Sequence, residues 1–374
     1  MIEYQNVTKI FGVGKEAVTA TENVNFTIEE GEVVVFLGPS GCGKTTMLRM
    51  TNRLESISRG TIRVDGRDIQ KMDPVRLRQS MGYVIQQIGL FPNKTIAQNV
   101  AVVPKLLGWD KERIRDRVDY LLTMVKLDPD MYRNRYPVEL SGGQQQRVGV
   151  ARALGADPKI LLMDEPFGAI DPINRDQIQD EFLRLQHKLK KTIAFVSHDI
   201  HEAIKMGDKI AIFKDGRLIQ YDTPEAILMR PRNKFVSDFV GADRALKVLG
   251  LLRAKDAMNT APRNIIEGNR DAADVLGFME DKRIRTGIVV LQDKPVGYVT
   301  PRGLKYETGP VKEHVAPFPE HLELGAPLRD VLSTMLLHDI MMLCVVDENG
   351  TLAGTIDYPG IQRSILGMFS EEEV

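Results

Sequence analysis

The residues of this chain best suited to chemistry form a glycine-rich loop that ends in a lysine and threonines. The loop reads Gly38-Pro39-Ser40-Gly41-Cys42-Gly43-Lys44-Thr45-Thr46. Its spacing is that of a phosphate-binding loop, in which backbone N–H groups surround phosphates, the lysine bridges the β- and γ-phosphates and the threonine hydroxyl ligates Mg²⁺. The apolar run 33–37 before the loop predicts a buried strand, and the run 46–50 after it predicts a helix whose N-terminus favours anions. These residues therefore predict a site for a nucleotide and Mg²⁺.

An apolar run that ends in two acids supplies a second candidate element of that site. Residues 160–163 are apolar, and Asp164 and Glu165 follow them. In phosphate-loop enzymes such a strand lies beside the strand of the phosphate loop, so we expect both acids at the carboxyl edge of the sheet, next to the γ-phosphate. Asp164 would hold Mg²⁺ through water, and Glu165 would polarise the attacking water as a general base. The alternative is an ordinary strand with solvated acids at its end.

Composition is typical of a soluble globular protein of two or three domains. The chain has 374 residues, 43% of them hydrophobic and 27% charged, with a formal net charge of −1. This balance gives no global field that would attract nucleic acid, and we expect no nucleic-acid partner. Apolar runs are too short for a membrane span, the N-terminus lacks a signal-peptide pattern, and two cysteines, Cys42 and Cys344, indicate a reducing cytosol. We interpret Cys42 as space-filling rather than redox-active.

A third motif, Leu140-Ser141-Gly142-Gly143-Gln144, lies upstream of the acid pair. Ser141 can cap a helix while the glycines leave the N-terminal amides open to an anion. This pentapeptide resembles the signature motif of ABC ATPases, the nucleotide-binding subunits of ATP-binding-cassette transporters. In that family the anion is the γ-phosphate held by the opposite subunit. The resemblance covers residues 1–240.

Other positions of the family pattern occur in order along the same region. Gln86 resembles the Q-loop glutamine, which contacts Mg²⁺ and senses the permease, although Gln87 is adjacent to it. Asp171 resembles the D-loop aspartate of the opposite subunit. His198 follows a strand-like run and resembles the switch histidine, which contacts the γ-phosphate.

Two further implications of the resemblance concern adenine and the partner chain. Phe11 resembles the aromatic residue that stacks on adenine, with Tyr4 as the weaker candidate and a core position as the alternative. One chain would supply the phosphate loop, the two acids and the switch histidine, and the other would supply the pentapeptide and the D-loop aspartate. The chain is therefore expected to form a head-to-tail homodimer that holds two ATP molecules.

The fold implied by the resemblance is α/β, an ABC-type phosphate-loop ATPase domain with a helical subdomain. Residues 88–140 predict that subdomain, because apolar residues recur there at helical spacing. In the family it carries the signature motif and forms, with the Q-loop, the groove that receives the permease. We expect residues 90–92 to supply apolar contacts in that groove.

The rest of the chain contains an internal repeat. Three valines recur after 56 residues, Val275, Val289 and Val290 matching Val331, Val345 and Val346. Each copy has the pattern of a helix, a strand, a hairpin and a second strand, which resembles a CBS domain. We predict a linker helix over 241–252, an α/β tandem CBS module with copies at 253–308 and 312–367, and an acidic tail over 368–374.

CBS pairs often bind adenine nucleotides, and two features bear on the ligand of this pair. Thr300 matches the hydroxyl position of the family pattern, but Asp357 replaces its partner in the second copy, which disfavours ordinary AMP or ATP. A basic cluster in this otherwise acidic module comprises Lys282, Arg283, Arg285 and Thr286. It indicates either a solvated face or an anion site for a nucleotide second messenger or a lipid headgroup.

An ABC ATPase followed by a CBS pair resembles the ATPase subunits of importers for glycine betaine, proline betaine, carnitine and choline. The resemblance implies an ATPase that powers osmoprotectant uptake at the cytoplasmic face of the membrane and is regulated by its CBS pair. Its partners would be two permease subunits and, indirectly, an extracytoplasmic binding protein. The alternatives are an importer of another small solute whose CBS pair is a structural dimerisation module, and an ABC ATPase that acts without a permease.

Overall fold

The computed structural model describes residues 1–85, 89–168, 170 and 172–369. The chain divides into two compact units, Met1–Val240 and Gly241–Val374. Two of the predicted site residues, Gln86 and Asp171, lie outside the described residues, as does Gln87. The predicted tail lies outside them from residue 370 onward. Among the described residues, no helix combines the length and apolar character that a membrane crossing requires.

Two sheets form the first unit. Its strands are β1 (Ile2–Phe11), β2 (Val18–Ile28), β3 (Val33–Leu37), β4 (Arg59–Val64), β5 (Arg67–Asp68), β6 (Met81–Val84), β7 (Ile160–Asp164), β8 (Thr192–Val196), β9 (Lys209–Lys214) and β10 (Arg217–Asp222). The larger sheet has the order β10-β9-β3-β8-β7-β6 and is parallel except for β10. Every residue of β3, β7 and β8 is buried, since a parallel sheet is covered on both faces, and this accounts for their nearly continuous apolar sequences.

The smaller sheet is antiparallel, with the order β2-β1-β4-β5, and shares a core with the larger one. Tyr4 of β1 stacks on Phe26 of β2 with ring centroids 4.4 Å apart, and Phe26 meets Phe36 of β3 edge to face at 5.6 Å. Met47 and Leu48, from the helix after the phosphate loop, are fully buried in the same cluster. The core therefore fixes the position of the phosphate-loop helix between the sheets.

Helices cover the larger sheet and fill the segment between β6 and β7. They are α1 (Lys44–Thr51), α2 (Pro74–Gln79), α3 (Ile96–Val100), α4 (Val102–Leu106), α5 (Lys111–Met124), α6 (Pro129–Tyr132), α7 (Gly142–Ala153), α8 (Pro172–Leu189), α9 (Ile200–Met206), α10 (Pro224–Met229) and α11 (Lys234–Val240). Helix α5 buries Val118, Leu121 and Leu122, as the apolar spacing predicts. Asp110 caps its first turn by accepting a hydrogen bond from the N–H of Arg113 at 2.8 Å.

The second unit contains two three-stranded sheets of the same topology. Its elements are α12 (Arg244–Leu251), α13 (Ala254–Ala257), β11 (Ile265–Glu267), α14 (Ala272–Asp281), β12 (Gly287–Leu291), β13 (Lys294–Val299), α15 (Pro301–Leu304), β14 (Leu322–Glu323), α16 (Leu328–Leu337), β15 (Met342–Val346), β16 (Leu352–Asp357) and α17 (Tyr358–Phe369). In each sheet a parallel pair is followed by an antiparallel hairpin, and the register shifts at Val289/Val290 and again at Val345/Val346. The irregularity repeats with the same 56-residue offset as the valines.

Candidate functional site

The phosphate loop connects β3 to α1, and its glycines are required by their backbone geometry. Gly38 has φ 148°, and a Cβ atom there would lie 2.2 Å from the carbonyl oxygen of Phe213. Gly43 caps α1 with φ 101°, and its Cβ would lie 2.3 Å from the carbonyl oxygen of Ala20. Pro39, Ser40 and Gly41 between them are exposed. The loop is therefore held by close backbone approach at both ends and presents its middle to solvent.

Lys44 lies across this loop. Its Nζ donates hydrogen bonds to the carbonyl oxygens of Gly38 at 2.7 Å and Pro39 at 2.8 Å, and the residue is buried. Cys42 Sγ lies 3.8 Å from the same Nζ. Burial raises the pKa of the Cys42 thiol, with the charge of Lys44 opposing this, which disfavours the reactive thiolate. Thr46 is half-buried in the first turn of α1.

One expectation about the acid pair is wrong. Strand β7, which ends in Asp164, does not lie beside β3, because β8 is inserted between them. The two sites still meet, since all three strands are parallel and their carboxyl ends share one edge. Thr45 Oγ1, on α1, donates a hydrogen bond to Asp164 Oδ1 at 2.9 Å.

The pair of Thr45 and Asp164 suits Mg²⁺ in its donor chemistry. A hydroxyl and a carboxylate are hard oxygen ligands, and Mg²⁺ is usually bound through one or two protein groups together with water and substrate phosphates. In the described ranges no group of three or more His, Cys, Asp or Glu residues could hold a metal. Any Mg²⁺ bound here would therefore take most of its ligands from a nucleotide and water.

Asp164 is buried in an environment that disfavours its charge. Burial raises the pKa of its carboxyl, and neighbouring Glu165 adds to this, while the Thr45 hydrogen bond, Arg49 and Lys44 oppose it. The pKa of the nearby Tyr83 hydroxyl is raised by burial and by the charge of Asp164, and Arg49 opposes this. Arg49 is not among the residues predicted for the site, although it follows Thr45 by one helical turn and so lies on the same face of α1.

Glu165 and His198 face each other at the ends of β7 and β8. The backbone of Glu165 has φ 47°, and its N–H donates to the carbonyl oxygen of Val196 at 3.1 Å. His198 Nδ1 lies 3.5 Å from Glu165 Oε1, and 65% of the histidine side chain is exposed. A left-handed conformation at a residue other than glycine is strained, and such strain recurs at active sites, where it directs a side chain. Because β7 and β8 are parallel neighbours, both residues lie at the same carboxyl edge of the sheet as Asp164.

The pentapeptide forms the beginning of α7. Ser141 caps the helix, accepting a hydrogen bond from the N–H of Gln144 at 3.4 Å, while Gln144 Oε1 accepts one from the N–H of Ser141 at 2.9 Å. Among the described residues, a Cβ on Gly142 would meet no atom within 4 Å, and one on Gly143 would touch Ile178 alone, so packing within this part of the chain requires neither glycine. No hydrogen bond of the described residues joins this turn to the phosphate loop of the same chain. The open turn is available to another molecule.

The two aromatic candidates for adenine have different surroundings. Tyr4 is 2% exposed, stacks on Phe26 and hydrogen bonds Thr51 at 2.7 Å, so its ring belongs to the core. Phe11, at the end of β1, is 39% exposed, and Lys9 Nζ lies 4.5 Å from its ring centroid. Of these two rings, that of Phe11 is the one open to a ligand.

The candidate positions in the second unit have structural partners. Thr300 accepts a hydrogen bond from the N–H of Gly303 at 3.2 Å, and Asp357 accepts one from the N–H of Gly360 at 2.7 Å. Asp357 therefore replaces a hydroxyl in the same capping role. The basic cluster is on the surface: Lys282, Arg283 and Arg285 are exposed, Thr286 is half-buried, and Lys282 Nζ lies 3.0 Å from Asp281.

Comparison with known proteins shows extensive similarity. A family model described as ABC transporter matches residues 21–168. The chain is 48% identical over 358 residues to the osmoprotectant import ATP-binding protein OsmV of Salmonella typhimurium, covering 95% of this chain and 94% of that protein. It is 44% identical over 361 residues to the glycine betaine/carnitine/choline transport ATP-binding protein OpuCA of Bacillus subtilis, covering 95% and 94%.

A solved structure extends the comparison to the fold of the first unit. The ATP-binding cassette MJ0796, in a dimeric post-hydrolysis state bound to ADP and Pi, is 36% identical with a TM-score of 0.54, covering 60% of this chain and 99% of that chain. Relatives of such similarity over nearly the whole length show the family and confirm the predicted resemblance. This chain belongs to the ATP-binding subunits of ABC transporters, in the group named for osmoprotectant import.

Proposed function

We propose that this chain hydrolyses ATP as a head-to-tail homodimer and thereby powers import of a quaternary-amine osmoprotectant of the glycine betaine, carnitine or choline class. The observation that carries the proposal is the 2.9 Å contact between Thr45 and Asp164. This contact joins the end of the phosphate loop to the end of β7, at the sheet edge where Glu165 and His198 also lie. Four groups suited to phosphate chemistry thus come from three separate segments of the chain: the start of α1, the end of β7 and the turn after β8.

The roles follow from the chemistry of each group. The phosphate loop, residues 38–46, would bind the nucleotide phosphates, and Phe11 would stack on adenine. Thr45 and Asp164, with Gln86, would hold Mg²⁺, which supplies charge neutralisation on the phosphates when bound. Glu165 would accept a proton from the attacking water.

His198 would contact the γ-phosphate, and the remaining contacts would come from the partner chain. The residues expected from the partner are Ser141, Gly142, Gly143, Gln144 and Asp171. The open turn at the start of α7 supports this assignment, because helix N-terminal N–H groups favour anions and, in the part of the chain that the structure describes, a Cβ on Gly142 would meet no atom within 4 Å. The dimeric state of the similar cassette MJ0796 supports it independently.

The cargo class and the partners rest on the relatives. OsmV and OpuCA are both named as transport ATP-binding proteins, for osmoprotectants and for glycine betaine, carnitine and choline. We infer that this chain attaches to two permease subunits at the cytoplasmic face of the membrane and depends on an extracytoplasmic binding protein for substrate. Residues 90–92, of which Phe91 is 43% exposed, are the proposed apolar contact with the permease.

The second unit is proposed to be a pair of CBS domains over 253–308 and 312–367 that regulates transport. The repeated strand order and the repeated register shift support this. The exposed basic cluster would be its anion site, with a nucleotide second messenger as the proposed ligand. The capping role of Asp357 supports a ligand other than ordinary AMP or ATP.

The substitution Glu165→Gln tests the hydrolytic assignment, because it removes the base and leaves the shape of the side chain. We expect ATP binding to persist, turnover to fall by at least about a hundredfold, and an ATP-dependent dimer to accumulate, measured by phosphate release and by light scattering after size exclusion. Undiminished hydrolysis would reject Glu165 as the base. Binding without any dimer would reject the head-to-tail arrangement instead.

A further inference from the structure

A buried polar network lies directly behind the His198 turn. Ser197, Gln179 and Glu202 are all buried, and their side chains are joined by hydrogen bonds. The Ser197 hydroxyl donates to Glu202 Oε2, and Gln179 Nε2 donates to Glu202 Oε1 at 3.0 Å. Burying such groups costs free energy that an apolar cluster of the same shape would not, so the network needs a reason other than stability.

The network fixes the backbone on both sides of His198. The N–H of Ser197 donates to the carbonyl oxygen of Phe36 in β3 at 3.0 Å. The N–H of Asp199 donates to Ser197 Oγ, also at 3.0 Å, so one hydroxyl connects the residue after the histidine to Glu202. His198 itself is mostly exposed, and among the described residues its ring is held by the 3.5 Å approach of Nδ1 to Glu165 Oε1. The position of the ring therefore depends on the two peptides that flank it.

The same network connects this turn to α8. Gln179 and Arg175 are four residues apart and lie on one face of that helix. Arg175 donates to the carbonyl oxygen of Ile170 at 3.1 Å and approaches Asp199 at 4.0 Å. Helix α8 thus contacts both the segment that follows Glu165 and the turn that carries His198.

From this geometry we propose that Glu202 is a positioning residue for His198, acting through the hydroxyl of Ser197 and anchored to α8 by Gln179. The inference rests on the proposed role of His198 at the γ-phosphate. Burial raises the pKa of the Glu202 carboxyl, and the hydrogen bonds from Ser197 and Gln179 partly offset this. What the site requires of residue 202 is two hydrogen bonds at fixed positions, one with Ser197 and one with Gln179, and its charge is secondary.

The predicted behaviour of substitutions follows from that requirement. A glutamine at position 202 can accept from Ser197 through its oxygen and donate to the oxygen of a rotated Gln179 amide, so Glu202→Gln should hydrolyse ATP within about threefold of the wild type. Glu202→Met keeps the length and removes both hydrogen bonds. It should lower kcat by about ten- to a hundredfold with little change in KM for ATP, because displacement of a reacting group by about 1 Å has effects of that size.

A matched control lies on the same helix. Gln186 is also buried, and it donates to the carbonyl oxygens of Gly31 at 3.3 Å and of Lys191, towards the opposite end of α8. Gln186→Met removes comparable hydrogen bonds from a side chain of comparable length. It should lower the urea midpoint without lowering kcat.

The deciding experiment combines these substitutions with His198→Ala in the full-length chain and measures single-turnover phosphate release. If Glu202 acts through His198, Glu202→Met lowers the rate in the native background and not in the His198→Ala background. An equal loss in both backgrounds, or no loss in the native one, would overturn the proposal. If Glu202→Met does not fold, Ser197→Ala replaces it, because it removes the hydrogen bond between Ser197 and Glu202 without adding volume. Its rate is then compared in the native and His198→Ala backgrounds in the same way.

The design separates this inference from the proposed function. If His198→Ala hydrolyses ATP at the native rate, the proposed role of His198 is wrong, and the inference about Glu202 is overturned with it. If His198→Ala lowers the rate of phosphate release and Glu202→Met lowers it by the same further factor in the His198→Ala background as in the native one, the proposed function stands and only the positioning role is refuted.

Discussion

The substitution Asp164→Asn should stabilise the nucleotide-free chain while weakening magnesium-dependent nucleotide binding. Asp164 is 4% exposed, and its Oδ1 accepts the hydroxyl of Thr45 at 2.9 Å. An asparagine has the same shape and keeps that acceptor, so the hydrogen bond, worth about 1 kcal/mol net, is retained. What the substitution removes is a buried charge that lies next to Glu165 and is only partly compensated by Lys44 and Arg49.

The sign of the pH dependence follows from the raised pKa of Asp164. The native state binds the proton of this group more tightly than the unfolded state, so native stability falls as the pH rises from the ordinary value of 3.8 to the folded pKa, and stays lower above it. The asparagine variant lacks this loss. At neutral pH we expect a gain of about 1 kcal/mol in the free energy of unfolding, the usual size for one stabilising substitution. At a denaturant slope of about 3 kcal/mol per M, the urea midpoint rises by about 0.3 M.

The assay is urea unfolding followed by the fluorescence of Trp109, the single tryptophan, which lies in the first unit. Asp157 provides a control of opposite sign. Its burial would raise its pKa, but Lys191 and Arg117 outweigh this and hold the pKa below its ordinary value, so Asp157→Asn should lose stability at neutral pH. A destabilised Asp164→Asn, or a gain that does not diminish as the pH approaches 3.8, would refute the account of the buried charge.

The phosphate-loop glycines give two further predictions from the same unfolding assay. Gly43→Ala places a Cβ 2.3 Å from a backbone oxygen at φ 101° and should cost at least about 3 kcal/mol, because the backbone itself must move. Gly41→Ala, at φ 79° with no atom within 4 Å of the Cβ, should cost only the left-handed strain of about 1–2 kcal/mol. Equal losses for the two variants would contradict the close approach of the loop to β2.

Much of the site could be predicted from the sequence because its motifs are local. The phosphate loop needs glycines at Gly38 and Gly43 for close backbone approach, and this need is visible in a short stretch of sequence. The acid pair and the capped turn at Ser141 are likewise read from adjacent residues. The repeat in the second unit was predictable because its valines recur with one offset and occupy equivalent strand positions.

The features that the sequence did not reveal depend on contacts between distant segments. Apolar runs predict that β3, β7 and β8 are buried strands, but they do not say which strand pairs with which. The position of β8 between β3 and β7 therefore could not be predicted from them. The pairing of Gln179 with Glu202 joins two helices through side chains 23 residues apart.

The claim on which the account depends most is that each ATP site is completed by the partner chain. Two inactive variants test it: Lys44→Ala, which disables the phosphate loop, and Ser141→Arg, which blocks the open turn of α7. The two variants are co-expressed with different tags and purified as a mixed dimer. In one site of that dimer the phosphate loop comes intact from the Ser141→Arg chain and the turn comes intact from the Lys44→Ala chain, while the other site carries both substitutions. We expect no ATP hydrolysis from either variant alone and measurable hydrolysis from the mixed dimer. A mixed dimer that remains inactive, while a mixed dimer of wild type with Lys44→Ala is active, would contradict the shared site.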